Sequence, residues 1–374
     1  MHQNSDMPNF QIEFVDNERF VKDPLVSVVM ITYNHERYLA EAIEGVVRQE
    51  TSFPIELLIG EDCSTDGTRD IALSYQKRFP EMIRVITSEQ NVGAHENFAR
   101  VLASARGKYI AFCEGDDVWH RPDKLERQVS ALDADPSLSF VCSDCRMVRD
   151  DGGLLKEDDF LGYHVSKKLL SYDDLLLTAP VGTATVCARR LLILQAFSEL
   201  PWDKYRGFLM ADLPLWLQLS QYGNVSYDPE PLATYRITEN SASRRPDPLW
   251  PYRFSMDSHE ITYQFLARYA LNAGITETRS QQLRIVRRLL RDAAILALPE
   301  VTKRQQRRLK EMGVGLRLCD IALRLVPHLP VPMRLKLLQI KKTLNSWCAQ
   351  FACEIGHRIR SAAVVIKLKR VKDS

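Results

Sequence analysis

Three short polar segments carry residue types that suit nucleotide and metal binding, and each follows a run of apolar residues. They are Thr32-Tyr33-Asn34, Glu61-Asp62-Cys63-Ser64-Thr65-Asp66-Gly67-Thr68 and Glu114-Gly115-Asp116-Asp117. Hard cations such as Mg²⁺ and Mn²⁺ choose carboxylate oxygens, and Mg²⁺ takes one or two carboxylates together with phosphate oxygens. The Glu114-Gly115-Asp116-Asp117 segment therefore suits a divalent ion that offsets charge on a departing diphosphate. The same four residues would also serve as a strand-to-helix turn with Asp near a helix start. In the second segment, a carboxylate at the sheet edge suits an acceptor for a pyrimidine N3–H, whereas Ser64 or Asp66 suits a helix cap. Thr32, Tyr33 and Asn34 suit a wrap around a nucleotide through backbone groups and the Tyr33 ring.

The flanking residues say how these segments are positioned. Leu25-Val26-Ser27-Val28-Val29-Met30-Ile31 is an almost continuous apolar run, as in a strand buried on both faces of a parallel sheet. Helical spacing follows over 38–47, a strand over 55–60, a helix over 68–79, a strand over 82–87, a helix over 94–105 and a strand over 108–113. This alternation predicts a doubly wound, mostly parallel sheet, in which ligands bind beyond the carboxyl ends of the strands. All three polar segments fall at that edge. Farther on, the pattern predicts a helix to about residue 134, a strand over 138–148, a hairpin turn at 150–153 and a strand over 183–188. A helix over 211–222 and short strands at 225–227 and 232–237 follow. From Pro251 onward it is wholly helical, divided by Pro299, Pro327, Pro330 and Pro332.

Charge divides the chain. Residues 1–247 hold 26 Lys and Arg against 39 Asp and Glu, a net of −13, and residues 248–374 hold 24 against 9, a net of +15. An acidic domain with a basic tail is not the usual design of a nucleic-acid clamp, so no nucleic-acid partner is expected. It suits a catalytic domain held near an anionic surface. Over 283–297, Leu283, Val286, Leu289, Leu290, Ala293, Ala294 and Ala297 share one helical face, opposite Arg284, Arg287, Arg288 and Arg291. The stretch 333–344 repeats the style with Lys336, Lys341 and Lys342. Packing on the catalytic domain and peripheral attachment to an anionic membrane both fit these faces. Residues 1–23 are polar with no signal-like apolar core, and no segment reaches the ~18 apolar residues of a membrane span. A cytoplasmic protein, peripheral on the inner face of the membrane, is the expectation. Cys142 and Cys145 form a lone C-x-x-C without a second pair at zinc spacing, which favours buried thiols.

Taken in order, the motifs resemble those of the family-2 glycosyltransferases, which have a GT-A fold. Val28-Val29-Met30-Ile31-Thr32-Tyr33-Asn34 is similar to the family's first strand and its ending, and the 61–68 segment to its acidic D-D-x-S-x-D-x-T loop. Asn91-Val92-Gly93 with Asn97 resembles N-x-G…N, and the stretch from Gly107 to Asp117 resembles the strand entering the metal motif. The likeness covers roughly residues 24–243. It implies three regions: a polar extension (1–23), a GT-A domain with a Rossmann-like, mostly parallel α/β sheet flanked by helices (24–247), and an all-helical basic C-terminal extension (248–374). It further implies that Asp62 reads the base, Asp116 contacts ribose or sugar, and Asp117, with Asp116, ligates Mg²⁺ or Mn²⁺. The segment from Phe208 to Trp216 resembles the one that holds the catalytic base, with Asp212 in that place. Tyr235-Arg236 with Asn240-Ser241-Ala242-Ser243 resembles a closing segment that holds the diphosphate, a task suited to guanidinium. Two positions depart from the pattern. Glu114 stands for the usual first Asp of the metal motif, and Ala211 for the usual Glu beside the base.

The resemblance implies an inverting, metal-dependent transfer of a sugar from a UDP or dTDP donor to a hydroxyl of a glycan or lipid-linked acceptor, in surface polysaccharide assembly. A nicotinamide oxidoreductase would need a Gly-rich turn after the first strand, where Thr32-Tyr33-Asn34 stands instead. A nucleotidyltransferase would not need the Asp212 segment. A non-catalytic scaffold that binds sugar nucleotides or membranes is the alternative of a different class.

Overall fold

The computed structural model describes residues 13–14, 21–157, 168–177, 181–205, 207–210, 212–238, 247–269, 275–313 and 330–333. The chain divides into two compact units, Met1–Pro248 and Leu249–Ser374.

In the first unit, strands β1 (Glu13–Phe14), β2 (Val26–Thr32), β3 (Ile55–Glu61), β4 (Ile83–Thr87) and β5 (Tyr109–Phe112) alternate with helices. Those helices are α1 (Leu39–Val47), α2 (Thr68–Arg78), α3 (Ala94–Ser104) and α4 (Lys124–Ala134). Next come β6 (Leu138–Arg149), β7 (Leu154–Lys156), β8 (Leu169–Leu170), α5 (Tyr172–Leu177), β9 (Cys187–Arg189), α6 (Arg190–Glu199), α7 (Asp212–Leu219) and β10 (Asn224–Ile237). They form one sheet in the order β1-β4-β3-β2-β5-β9-β6-β10-β8, with β7 paired to β6. The central pairs β4–β3, β3–β2, β2–β5 and β6–β10 are parallel, and β9 joins the two parallel parts by antiparallel pairing on both sides.

The apolar run of β2 is buried on both faces, as its sequence requires. Val26, Val28 and Met30 pack with Leu39, Ile43 and Val46 of α1 and Leu57 and Ile59 of β3. Burying each such side chain contributes about 1.5–3 kcal/mol. Phe112 meets Phe98 of α3 at 5.8 Å and Trp216 of α7 at 5.3 Å between ring centroids.

A polar pin fixes β2, β3 and β5 at their amino ends. The buried Ser27 hydroxyl donates to Glu56 Oε1 (2.5 Å), and Glu56 is held in turn by the Arg106 guanidinium (2.7 Å). The Gly107 N–H donates to Ser27 Oγ at 2.8 Å, with no space beside it. A Cβ at Gly107 would lie 2.6–2.9 Å from backbone atoms of Ser27, Val26 and Leu25.

Two expectations for this unit need correction. The 183–188 strand is a 3₁₀ turn over Thr183–Thr185 followed by the short β9. Both the N–H and the hydroxyl of Thr185 donate to the Gly182 carbonyl (2.9 and 2.7 Å), which closes a turn before the chain can extend. The short strands expected at 225–227 and 232–237 are one strand, β10, which passes Pro229 and Pro231 by shifts of register against β6.

The second unit contains α8 (Trp250–Tyr269), α9 (Ile275–Ile295) and α10 (Pro299–Glu311). The expected apolar face of α9 is its buried face, at Val286, Leu289, Leu290, Ala293 and Ala294. Glu260 of α8 takes a two-pronged hydrogen bond from Arg308 of α10, both contacts at 2.9 Å, and that guanidinium lies 4.1 Å from the Tyr263 ring. Among the described residues no helix is long and apolar enough to cross a membrane. The second basic stretch, 333–344, lies outside the described residues apart from Met333.

Replacing Gly107 by Ala forces a methyl group onto backbone that cannot give way. We expect it to cost roughly 1–3 kcal/mol, the usual penalty of overpacking, read as a lower midpoint in urea denaturation.

Candidate active site

The carboxyl ends of β2, β3 and β5 lie side by side, and the loops leaving them are tied together by short polar contacts. Asn34 adopts a left-handed backbone (φ 55°), which Asn tolerates better than most residues. Its side-chain oxygen accepts from the Thr65 N–H at 2.9 Å, and its own N–H donates to Ser64 Oγ at 3.0 Å. His35 N–H donates to Thr68 Oγ1 (2.7 Å), and Gly67 N–H to Glu36 (2.7 Å). Asp66 accepts from the Thr68 N–H (3.0 Å) at the start of α2, from the position just before the cap residue Gly67. Tyr33 is exposed over this edge, whereas Thr32 is buried beneath it.

Asp62 is almost fully buried. Its two carboxylate oxygens accept from the backbone N–H groups of Val92 and Gly93 at 2.8 and 2.9 Å, and Asn91 donates to the Asp62 carbonyl at 3.0 Å. The Asn91-Val92-Gly93 motif is thus the partner of the 61–68 motif. Asn97 bonds the Gly60 carbonyl (2.8 Å) and Arg100 the Glu61 carbonyl (2.8 Å), so α3 fixes the end of β3 from behind.

Beyond β5, the Glu114–Asp117 turn presses against the end of β2. A Cβ at Gly115 would lie 2.6 Å from Thr32 Oγ1 and 2.8 Å from His35 Nδ1. Only glycine lets the turn approach so closely. On its other side the turn meets β10. Val118 and Thr234 exchange both backbone hydrogen bonds, at 3.1 and 2.7 Å, and the Arg236 N–H donates to Asp117 Oδ1 at 3.1 Å. The Arg236 guanidinium folds back over the turn. Its Nε donates to the Asp116 carbonyl (3.2 Å), one terminal nitrogen pairs with Glu41 (2.6 Å), and its carbon lies 5.2 Å from the Tyr38 ring. The Tyr38 hydroxyl in turn donates to Asp150, which also pairs with Arg37 at 2.8 Å.

Asp212, the first residue of α7, is half-buried. Its Oδ2 accepts from the Thr183 hydroxyl and its Oδ1 from the Leu213 N–H, both at 2.8 Å. Trp216, one turn along the same face, is wedged between Phe112 and Phe140 and holds the helix in place.

These acidic groups repel one another. Burial raises the Glu114 carboxyl to about 8, with the charges of Asp116 and Asp212 adding to it. Burial, Asp116 and Glu114 raise Asp117 well above the usual carboxylate range, against the pull of Arg236. Burial likewise raises Asp212, and its hydrogen bond from Thr183 opposes that shift. Among the described residues no three His, Cys, Asp or Glu side chains form a ready cage for a metal ion. Asp116 and Asp117 supply hard oxygens instead, in the number that leaves room for phosphate oxygens. A cation there would relieve the repulsion, so the residues fit a divalent ion.

The structure therefore gathers Asp116, Asp117 and Arg236 at one turn and sets Asp212 near enough to bear on Glu114. Thr32, Tyr33, Asn34 and Asp62 line the adjoining edge. The closing segment 240–243 and Ala211 lie outside the described residues. Thr183, Tyr38, Glu41 and Asp150 were not found from the sequence. Asp150 reads there only as a turn residue, and nothing marks Glu41 as the partner of an arginine 195 residues away. Cys142 and Cys145 are buried free thiols, and burial raises both.

Residues 27–192 match the family model described as Glycosyl transferase family 2. An uncharacterised protein of Mycobacterium tuberculosis is 36% identical over 211 residues, 56% of this chain and 58% of that protein, so the match spans a little over half of this relative. TuaG of Bacillus subtilis, a putative teichuronic acid biosynthesis glycosyltransferase, is 37% identical over 222 residues, 59% of this chain and 82% of TuaG. WfgD of Escherichia coli, a UDP-Glc:alpha-D-GlcNAc-diphosphoundecaprenol beta-1,3-glucosyltransferase, is 30% identical over 204 residues, 54% of this chain and 73% of WfgD.

The raised Glu114 carboxyl sets a pH signature. A carboxyl whose folded value lies above its unfolded one costs nothing below about 4.5. The cost grows as pH rises through the window and is complete above about 8. In EDTA, Glu114→Gln should melt higher than wild type by a margin that widens from pH 5 to pH 8.5. A margin that stays constant over that range would contradict the assignment.

Proposed function

The chain belongs to glycosyltransferase family 2, and on that footing we propose that it moves a sugar from a nucleoside-diphosphate donor to a hydroxyl of a glycan or lipid-linked acceptor in surface polysaccharide assembly. One observation carries the proposal. A buried acidic turn, a guanidinium and a carboxylate at a helix start converge beyond the carboxyl ends of a parallel sheet, where such folds bind ligands. The relatives support the class of pathway, since TuaG is named for teichuronic acid biosynthesis and WfgD for transfer onto a diphosphoundecaprenol-linked sugar.

In this reading Tyr33 and the 32–34 backbone bracket the base, and Asp62 reads it with the lone pairs that Val92 and Gly93 leave over. A pyrimidine N3–H suits that acceptor, which favours UDP or dTDP. Asp116 meets the ribose or sugar. Mg²⁺ or Mn²⁺ at Asp117 and Asp116 would supply positive charge to the diphosphate. Arg236 adds a fixed positive charge at the same turn.

Asp212 is the proposed base. Its raised carboxyl suits proton removal near neutral pH better than an ordinary aspartate. It takes the proton of the acceptor hydroxyl, whose oxygen attacks the anomeric carbon. The bond to the diphosphate breaks, and the nucleoside diphosphate leaves with the electron pair. A single displacement inverts the configuration. Thr183 holds the base in line through its 2.8 Å hydrogen bond.

The C-terminal unit suits peripheral contact with an anionic membrane on the cytoplasmic side. Arg284 and Arg288 of α9 and Arg304, Arg307 and Lys310 of α10 are exposed, and each basic residue near such a surface adds about 1 kcal/mol.

Three measurements test these points. In calorimetry with Mn²⁺, one of UDP, dTDP, GDP or CDP should bind wild type and be lost in Asp117→Ala, whereas binding of none would favour a non-catalytic scaffold. Asp212→Asn should keep nucleotide binding but lower turnover about 10²–10⁴-fold, and a product of retained configuration would sink the single displacement. The protein should sediment with anionic but not with neutral vesicles, and equal sedimentation would remove the membrane role.

A further inference from the structure

Arg236 is unusually well fixed for a residue expected to meet a ligand. Its side chain is 6% exposed, its Nε is bound to the Asp116 carbonyl, its backbone N–H to Asp117, and its face lies over Tyr38. Glu41, which pairs with a terminal nitrogen at 2.6 Å, is the opposite. Its side chain is 61% exposed and stands in the first turn of α1. Of the two partners, Glu41 is the one free to swing away while Arg236 stays in place. A carboxylate and a phosphate present the same pair of oxygens to a guanidinium and use the same N–H groups.

We infer that Glu41 competes with the donor diphosphate for the guanidinium of Arg236, and so limits how tightly the donor and the released nucleoside diphosphate are held. The inference rests on reading Arg236 as the diphosphate contact. Binding of the donor exchanges one anion for another at a fixed cation, with no repacking of the buried turn. On departure of the product the carboxylate returns and the cation is not left unpaired. Glu41 is thus a positioning residue, acting through Arg236 rather than on the sugar. The Tyr38 ring lies against the guanidinium for either partner, and Asp150 of the β6–β7 turn accepts from the Tyr38 hydroxyl while pairing with Arg37.

The test is calorimetric, with Mn²⁺ present, on wild type, Glu41→Gln and Arg236→Ala. UDP, dTDP, GDP and CDP are each compared with the matching nucleoside. Glu41→Gln keeps the size of the side chain and removes its charge, so the nucleoside diphosphate that binds wild type should bind about two- to fivefold tighter, the worth of one exposed ion pair. The nucleoside should be unaffected, and the gain should shrink as salt is raised. Damage to the fold cannot produce a gain confined to diphosphates. If wild type binds, Arg236→Ala abolishes binding and Glu41→Gln leaves it unchanged or weaker, competition is overturned while the diphosphate reading of Arg236 stands. If Arg236→Ala binds as wild type does, or wild type binds no nucleoside diphosphate, that reading fails and takes the competition with it.

Discussion

Carboxylate repulsion at one sheet edge is the constraint on which the rest of this structure depends. The charges of Asp116 and Asp212 add to the raised proton affinity of Glu114, those of Asp116 and Glu114 to that of Asp117, and Asp117 is almost wholly removed from water. Such a cluster persists only where surrounding groups hold it. Here a backbone N–H from β10 meets Asp117, the Arg236 guanidinium covers the turn, and Gly115 lets β2 stand against it. The position of β10, the choice of glycine and the burial of an arginine all answer this one electrostatic cost.

What could be read from the sequence was what is local. The strand–helix alternation, the three polar loops and the Asn91-Val92-Gly93 segment each lie within a few residues, where periodicity and turn chemistry act. The loops also turned out to be partners, since Asp62 binds the Val92 and Gly93 N–H groups. Contacts across long separations left no local trace. Glu41 is an ordinary acidic residue in a helix's first turn, and Thr183 belongs to a β-branched stretch that reads as strand until the Gly182 carbonyl closes it. The two prolines that split β10 in the sequence are absorbed by register shifts that only the pairing with β6 makes visible.

The uneven charge of the chain has a matching division in the fold. The acidic excess belongs to the unit whose edge gathers carboxylates, and the basic excess to a unit of three described helices. Among the described residues of that second unit, Glu260 is paired with Arg308 and the buried Asp292 with Ser255 and Arg291. On α9 and α10 the cations Arg284, Arg288, Arg304, Arg307 and Lys310 are exposed and stand clear of that interior.

Asp117 is held by the main chain of Arg236, and this divides two duties at one position. The main-chain donor survives almost any substitution there, whereas the guanidinium belongs to arginine alone. A change of side chain at 236 would therefore leave one donor on the Asp117 carboxylate while removing the positive charge that draws its proton affinity down. One of the two supports is thus written in the backbone and the other in the side chain, so a single substitution weakens the hold on the acidic turn without abolishing it.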